Sequence, residues 1–117
     1  MKPTISLFWS QIDCEKPNVC YVQARYGGGP IVAQLHLSFD EQAGWIGSLF
    51  VQEHARKKGL ASLLIERACA ISRAYKLESV GLSVHKDNKA AKSLYRKLGF
   101  VGFMDGHEGY QQLIKIL

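Results

Sequence analysis

The stretch Val51-Gln52-Glu53-His54-Ala55-Arg56-Lys57-Lys58-Gly59-Leu60-Ala61 decides how the rest of this sequence is read. On its amino-terminal side, Trp45–Val51 carries apolar residues on both faces, which suits a strand in the middle of a sheet with cover on both sides. On its carboxy-terminal side, Leu60, Leu64, Ala68, Ile71 and Tyr75 recur at helical spacing with Leu63 beside them, while Glu66, Arg67, Arg73 and Lys76 fall elsewhere. That pattern predicts a helix with one buried face and about five turns. The chain therefore leaves a central strand and enters a long helix through a basic, glycine-containing turn. The first N–H groups of such a helix lack internal partners, and the helix dipole adds partial positive charge beside them. A pyrophosphate is the natural ligand for that arrangement. Gly59 lets backbone and phosphate approach without a Cβ between them, and Ala61 keeps the next position small. Neither the nucleoside-triphosphate pattern G-x-x-x-x-G-K-[ST] nor the dinucleotide pattern G-x-G-x-x-G is present. A helix entry with incidental surface lysines is the plain alternative.

Outward from this segment the chain alternates strands and turns. Thr4–Ile12 reads as a strand, Asp13–Asn18 as a loop, and Val19–Tyr26 with Ile31–Phe39 as a hairpin closed by Gly27-Gly28-Gly29-Pro30. No helical pattern follows the three glycines, so they mark a hairpin tip and not a phosphate loop. Asp40–Gly44 is a turn into the central strand. Beyond the long helix, Ser79–His85 alternates as a strand. Asp87 or Asn88 caps a short helix whose Ala91, Leu94, Tyr95 and Leu98 share a face, and Gly99 stops it. Phe100–Met104 and Tyr110–Ile116 complete a β-β-β-β-α-β-α-β-β order, an α/β domain with a mixed sheet spanning residues 1–117.

Composition narrows the function classes. The 117 residues carry a formal charge of +5, but the segment Arg56–Lys97 holds eleven basic and three acidic residues, a net of +8, which leaves −3 for the remainder. One region is thus built to receive an anion. Phosphate on a nucleic acid and phosphate on a cofactor both fit the charge. The basic residues cluster around a phosphate-sized turn without aromatic interleaving or a helix-turn-helix pattern, so a nucleic-acid module is the weaker reading. No apolar run approaches the roughly 18 residues that a membrane span needs, and the amino terminus lacks a signal-peptide core. Three cysteines without C-x-x-C spacing argue against a paired-cysteine zinc site and a disulfide framework, and point to a reducing cytoplasm. No H-E-x-x-H or similar ligand pair is present, so no metal is expected.

Two motifs stand in fixed order. The pattern V-x-x-x-x-R-x-x-G-x-A spans Val51 to Ala61, and N-x-x-A-x-x-L-Y-x-x-x-G-F runs through Asn88, Ala91, Leu94, Tyr95, Gly99 and Phe100. From about Trp45 to Phe103 the chain resembles the GNAT superfamily of acyl-CoA-dependent N-acetyltransferases. The resemblance implies a mixed, mostly antiparallel twisted sheet with flanking helices. It implies acetyl-CoA as co-substrate, its pyrophosphate wrapped by the backbone of Arg56, Lys57, Lys58, Gly59, Leu60 and Ala61. Leu49, Phe50 and Val51 would pair with the pantetheine arm, beside a strand bulge expected at Gly47. Asn88 matches an asparagine that commonly contacts the cofactor, although helix capping explains it equally well. Tyr95 matches the tyrosine commonly proposed to protonate the leaving thiolate, and its plain alternative is a core residue with a satisfied hydroxyl.

The chain also departs from that family. Many members carry a glutamate base where this sequence has Trp45, leaving His36, Asp40, Glu41, Glu53 and His85 as candidates. The two helices that many members place after the first strand have only Asp13–Asn18 to occupy, so the fold is shortened. The acceptor site is then wider open, or a partner subunit closes it, which favours a homodimer. The net charge of −3 outside Arg56–Lys97 suggests a cationic amine acceptor such as a polyamine, an aminoglycoside or a basic peptide, an attraction that salt screens. Cys69, in mid-helix, has nothing beside it in sequence to activate its thiol, so the reaction expected is direct transfer to an amine without an acyl-enzyme.

Overall fold

The computed structural model describes residues 2–9 and 19–117. Among these, strands β1 (Pro3–Trp9), β2 (Val19–Tyr26), β3 (Ile31–Phe39), β4 (Ala43–Val51), β5 (Ser79–His85), β6 (Val101–Asp105) and β7 (Tyr110–Ile116) form one sheet ordered β1-β2-β3-β4-β5-β7-β6. The β4–β5 pair is parallel and the other five pairs are antiparallel. The expected β2–β3 hairpin is present, with Gly27 at φ +60° in its tip. The segment 10–18 lies outside the described residues. So do the end of the first expected strand, the expected Asp13–Asn18 loop on which the shortened-fold expectation rests, and Cys14.

Strand alternation sorts the sheet into two faces. The row Cys20, Leu37, Ile46, Leu82 and Leu113 runs straight across five strands, and every member is buried. Helices α1 (Leu60–Ala74) and α2 (Lys89–Lys97) pack on this face. Ser72 of α1 sits so close to Gly44 that a Cβ there would stand 2.9 Å from its Oγ. Two layers account for a shortest dimension of 24 Å.

The opposite face has no helix over it among the described residues. This corrects the expectation of cover on both sides of Trp45–Val51: β4 is central, yet Trp45 is 37% and Phe50 43% exposed. Continuous apolar character there has a second cause, since the exposed positions face an open sheet surface and not a second layer. The strand also begins earlier than expected, at Ala43, because the β3–β4 turn is closed by Asp40, whose carboxylate accepts from the Gln42 and Ala43 amides at 2.7 and 2.9 Å.

Helix α1 has fifteen residues, about four turns and not five. Leu60, Leu64, Ala68 and Ile71 are buried as expected, joined by Ile65, Cys69 and Ser72. Leu63 is 38% exposed, and Tyr75, just past the helix, lies outside against Phe39, ring centroids 5.0 Å apart. Asn88 is the cap of α2, its Oδ1 accepting from the Ala91 amide at 3.2 Å. The helix ends in a Schellman turn: Gly99 stands at φ +98°, the Phe100 amide donates to the Tyr95 carbonyl, and the Gly99 amide donates to the Arg96 carbonyl. The following strand starts one residue later than expected, at Val101, with Phe100 fully buried.

Candidate active site

The site begins with a defect in β4. Its pairing with β3 runs regularly to His36–Gly47 and resumes at Gln34–Phe50, so Ser48 and Leu49 stand opposite a single residue. Ser48 takes φ +50°, a left-handed conformation uncommon for a residue with a side chain. The bulge therefore lies at Ser48–Leu49, one residue beyond the expected Gly47. Glycine is not needed there to bend the strand. Gly47 meets a different constraint, since a Cβ on it would stand 3.2 Å from His36 Nδ1.

At the same place β4 leaves β5. The parallel ladder ends at Ile46–Leu82, while β5 stays paired with β7 through His85–Tyr110. A wedge opens between the two parallel strands. The Gln52 amide donates to the Val32 carbonyl at 2.7 Å, so alternation turns the Val51 N–H and C=O toward the opposite edge. That edge borders the wedge. Arg56 Nε donates to the Val51 carbonyl at 3.1 Å, which fastens the following turn to the strand end.

The turn itself combines Lys57 at φ +63° with Gly59 at φ +78°. Left-handed residues close to a helix start make backbone N–H groups converge. Gly59 sits at the N-cap position of α1, and no side chain caps the helix there. The first amide to close a backbone bond is that of Leu63, onto the Gly59 carbonyl at 3.1 Å. The amides of Leu60, Ala61 and Ser62 precede it in the orphaned first turn. Among the described residues, no atom beyond its chain neighbours lies within 4 Å of the position a Gly59 Cβ would take, so glycine serves the backbone angle and leaves the mouth of the helix open.

These parts face a single open cleft of about 660 Å³. Strand β4 contributes Leu49, Phe50 and Val51, the turn contributes Arg56 and Lys57, and α1 contributes Gly59, Leu60 and Ala61. Helix α2 forms the far wall through Asn88 and Tyr95. Ten of the eleven residues expected at the site thus meet here. The exception is Lys58, whose Nζ stands 5.6 Å from the Tyr26 ring centroid, over the β2–β3 hairpin. Five lining residues were not anticipated: Ala55, Ser62, Ala90, Ala91 and Leu94. Ala91 and Leu94 carry the helical period that also places Tyr95, so that period was the available signal. Small residues at Ala55, Ala90 and Ala91 keep the cleft wide.

Tyr95 is 9% exposed, its ring set edge-on to Phe100 at 6.1 Å between centroids. Burial pushes its phenol above the ordinary tyrosine range, so it is protonated at neutral pH. Asn88 has its carbonyl oxygen engaged in the cap, which leaves its NH₂ group for the cleft. Cys20 and Cys69 are both buried in the core, and burial raises their thiols.

The candidate bases separate by position. Asp40 and Glu41 lie in the turn at the other end of β4, roughly 25 Å of strand away. Glu53 is exposed in a short 3₁₀ turn. His36 and His85 belong to the open face of the sheet, on the two sides of the wedge. His85 Nδ1 accepts from the Asp87 amide at 3.2 Å, which fixes its ring. No group of three His, Cys, Asp or Glu residues suited to a metal ion occurs among the described residues, and no described helix is long and apolar enough to cross a membrane.

Comparison with known proteins agrees with this geometry. The sequence model of the Acetyltransferase (GNAT) family matches residues 2–100. The chain belongs to the GNAT family of acetyltransferases. It is 37% identical over 89 residues to NAA10, the catalytic subunit of the N-terminal acetyltransferase A complex of Arabidopsis thaliana, covering 72% of this chain and 46% of that protein. It is 33% identical over 79 residues to GCN5-related N-acetyltransferase 6, chloroplastic, of the same plant, covering 64% of this chain and 27% of that one. The GNAT chain thus spans less than half the length of these curated relatives. Among solved structures, the PaiA N-acetyltransferase of Thermoplasma acidophilum in complex with coenzyme A superposes with a TM-score of 0.77 at 18% identity, over 86% of this chain and 62% of that one. At that identity the likeness speaks for the fold.

Proposed function

We propose that this GNAT-family chain, acting as one domain, moves an acetyl group from acetyl-CoA to a primary amine by direct attack within a ternary complex. The observation that carries the reading is the wedge between β4 and β5. It opens in front of the orphaned amides of α1, and Tyr95 stands in the same cleft. A diphosphate fits the helix mouth, where N–H groups, the helix dipole, Arg56 and Lys57 combine and no capping side chain intervenes. An extended amide-bearing arm fits the free edge of β4, where the Val51 N–H faces the wedge and its C=O, which already accepts from Arg56 Nε, keeps a second lone pair. Coenzyme A carries both features, and it is the ligand held by the Thermoplasma neighbour.

With the thioester in the wedge, the amine nitrogen attacks the carbonyl carbon and a C–N bond forms. A main-chain N–H of β4 near Phe50 or Val51 stabilises the oxygen charge that develops. The C–S bond then breaks, the protonated Tyr95 phenol donates to the departing sulfur, and the proton shed by the amine nitrogen passes through water to restore the phenol. The two described cysteines are sealed in the core, which favours direct transfer over an acyl-enzyme. The test is release of free thiol from acetyl-CoA with a panel of amines. Acceptor-dependent release supports transfer. Saturable acetyl-CoA binding without release for any amine would leave a CoA-binding protein and reject the enzyme.

A further inference from the structure

The open face of the sheet is not featureless around the wedge. On the β4 side, Tyr21 and His36 stack at 5.6 Å between ring centroids with a tilt of 31°, and His36 lies over Gly47 next to the bulge. On the β5 side, His85 and Tyr110 stack edge-to-face at 5.1 Å. Trp45 lies at the apex, in the last rows where the two strands still pair, across Gly81. A Cβ on Gly81 would collide with the Trp45 ring, so the indole rests flat on the strand because that position has no side chain. Trp45, His36, His85 and Tyr110 thus surround the gap on the face opposite the helices, with Tyr21 one strand behind His36.

Access to the thioester divides between the two faces. The cleft between β4, α1 and α2 is the cofactor side, so an acceptor reaches the wedge from the open face. Its chemistry is set by what borders the gap. Trp45 is 37% and Tyr110 47% exposed, and both are free to cover an apolar group. Strand alternation places no Asp or Glu among the described strand residues of this face. At the rim, the Asp87 carboxylate stands 3.7 Å from His85 Nδ1. A polyamine or aminoglycoside needs several carboxylates to replace the hydration of its charges. An aromatic border instead rewards apolar area.

We infer that this ring-bordered opening is the acceptor site and that it selects primary amines bearing an aromatic or large apolar group next to the nitrogen. The inference rests on the acetyl-transfer reading above. It replaces the cationic acceptor suggested by the net negative charge outside Arg56–Lys97. Two sources share the chemistry: a free arylalkylamine, and a peptide whose first residue is large and apolar.

The experiment measures thiol release with 2-phenylethylamine, ethylamine and spermidine, and with short peptides beginning Phe-Ala and Gly-Ala, beside calorimetric titration of acetyl-CoA. The expected result is a kcat/KM at least about tenfold higher for the aromatic member of either arm than for its small or polycationic counterparts. Trp45→Ala lowers that ratio about tenfold, through KM, while acetyl-CoA affinity is unchanged. Tyr110→Ala, at an exposed position, provides the same readout if Trp45→Ala does not fold. Equal rates across the panel, or preference for spermidine, overturn the acceptor assignment and leave acetyl transfer standing. Failure to bind acetyl-CoA overturns both.

Discussion

At the scale of single residues, Tyr95 and Gly59 carry the account, and each makes a different prediction. Tyr95→Phe keeps the ring against Phe100 and removes the proton donor, so kcat falls roughly 10²-fold with little change in acetyl-CoA affinity. A change in affinity alone would make Tyr95 a wall residue. The raised phenol pKa has a sign as well. Its stabilising contribution is complete below the ordinary tyrosine pKa and is lost as pH rises through the folded value, so Tyr95-dependent activity persists through pH 9. Gly59→Ala places a side chain at φ +78°, at a strain of about 1–2 kcal/mol. That strain reshapes the turn, so acetyl-CoA binds about tenfold more weakly in calorimetry. Unchanged binding would show that the helix mouth does not grip the diphosphate. Both residues were legible in the sequence because each sits in a motif with fixed spacing. Lys58 was not, because a motif fixes backbone placement and leaves a long side chain free to reach Tyr26.

At the scale of elements, the decisive features are the β4 bulge and the anchored end of α2. Lys115 of β7 donates from Nζ to the Leu98 carbonyl at 2.6 Å, and its stem passes over Gly99. A cation at the carboxyl end of a helix complements the dipole and satisfies an orphan carbonyl. Lys115→Met keeps much of the stem and loses that bond. The expected cost is about 1–2 kcal/mol, seen as a fall in Tm of about 4–8 °C. The Lys115→Arg variant should recover part of it. A Tm unchanged in Lys115→Met would mean the Schellman turn alone holds α2 in place. Element types and most boundaries followed from hydrophobic period, but the bulge position did not. A left-handed Ser48 has no sequence signature as clear as a glycine, so Gly47 drew the expectation one residue short. The reading of α1 placed Leu63 and Tyr75 inward, whereas the buried stripe turns through Ile65, Cys69 and Ser72 as the helix crosses the sheet.

At the scale of the whole molecule, a sheet with helices on one face divides the work. In the proposed reaction the helix side takes the cofactor, and the bare side supplies the approach for the acceptor. Sequence alone did not reveal the asymmetry, because an apolar strand facing open surface reads like one buried on both faces. The cleft joins β4, α1 and α2, so a ligand there ties three elements together. Saturating acetyl-CoA should raise the unfolding free energy by about 2.7 kcal/mol at a hundredfold excess over Kd, measured as a concentration-dependent Tm. The most direct measurement is a titration of isotope-labelled protein with acetyl-CoA, followed through backbone amide chemical shifts. The largest changes are expected at Leu49–Val51 and at Gly59–Ser62, with Asn88 and Tyr95 following. Unmoved amides at Gly59–Ser62, with changes confined to the lysines on the outer side of α2, would contradict it.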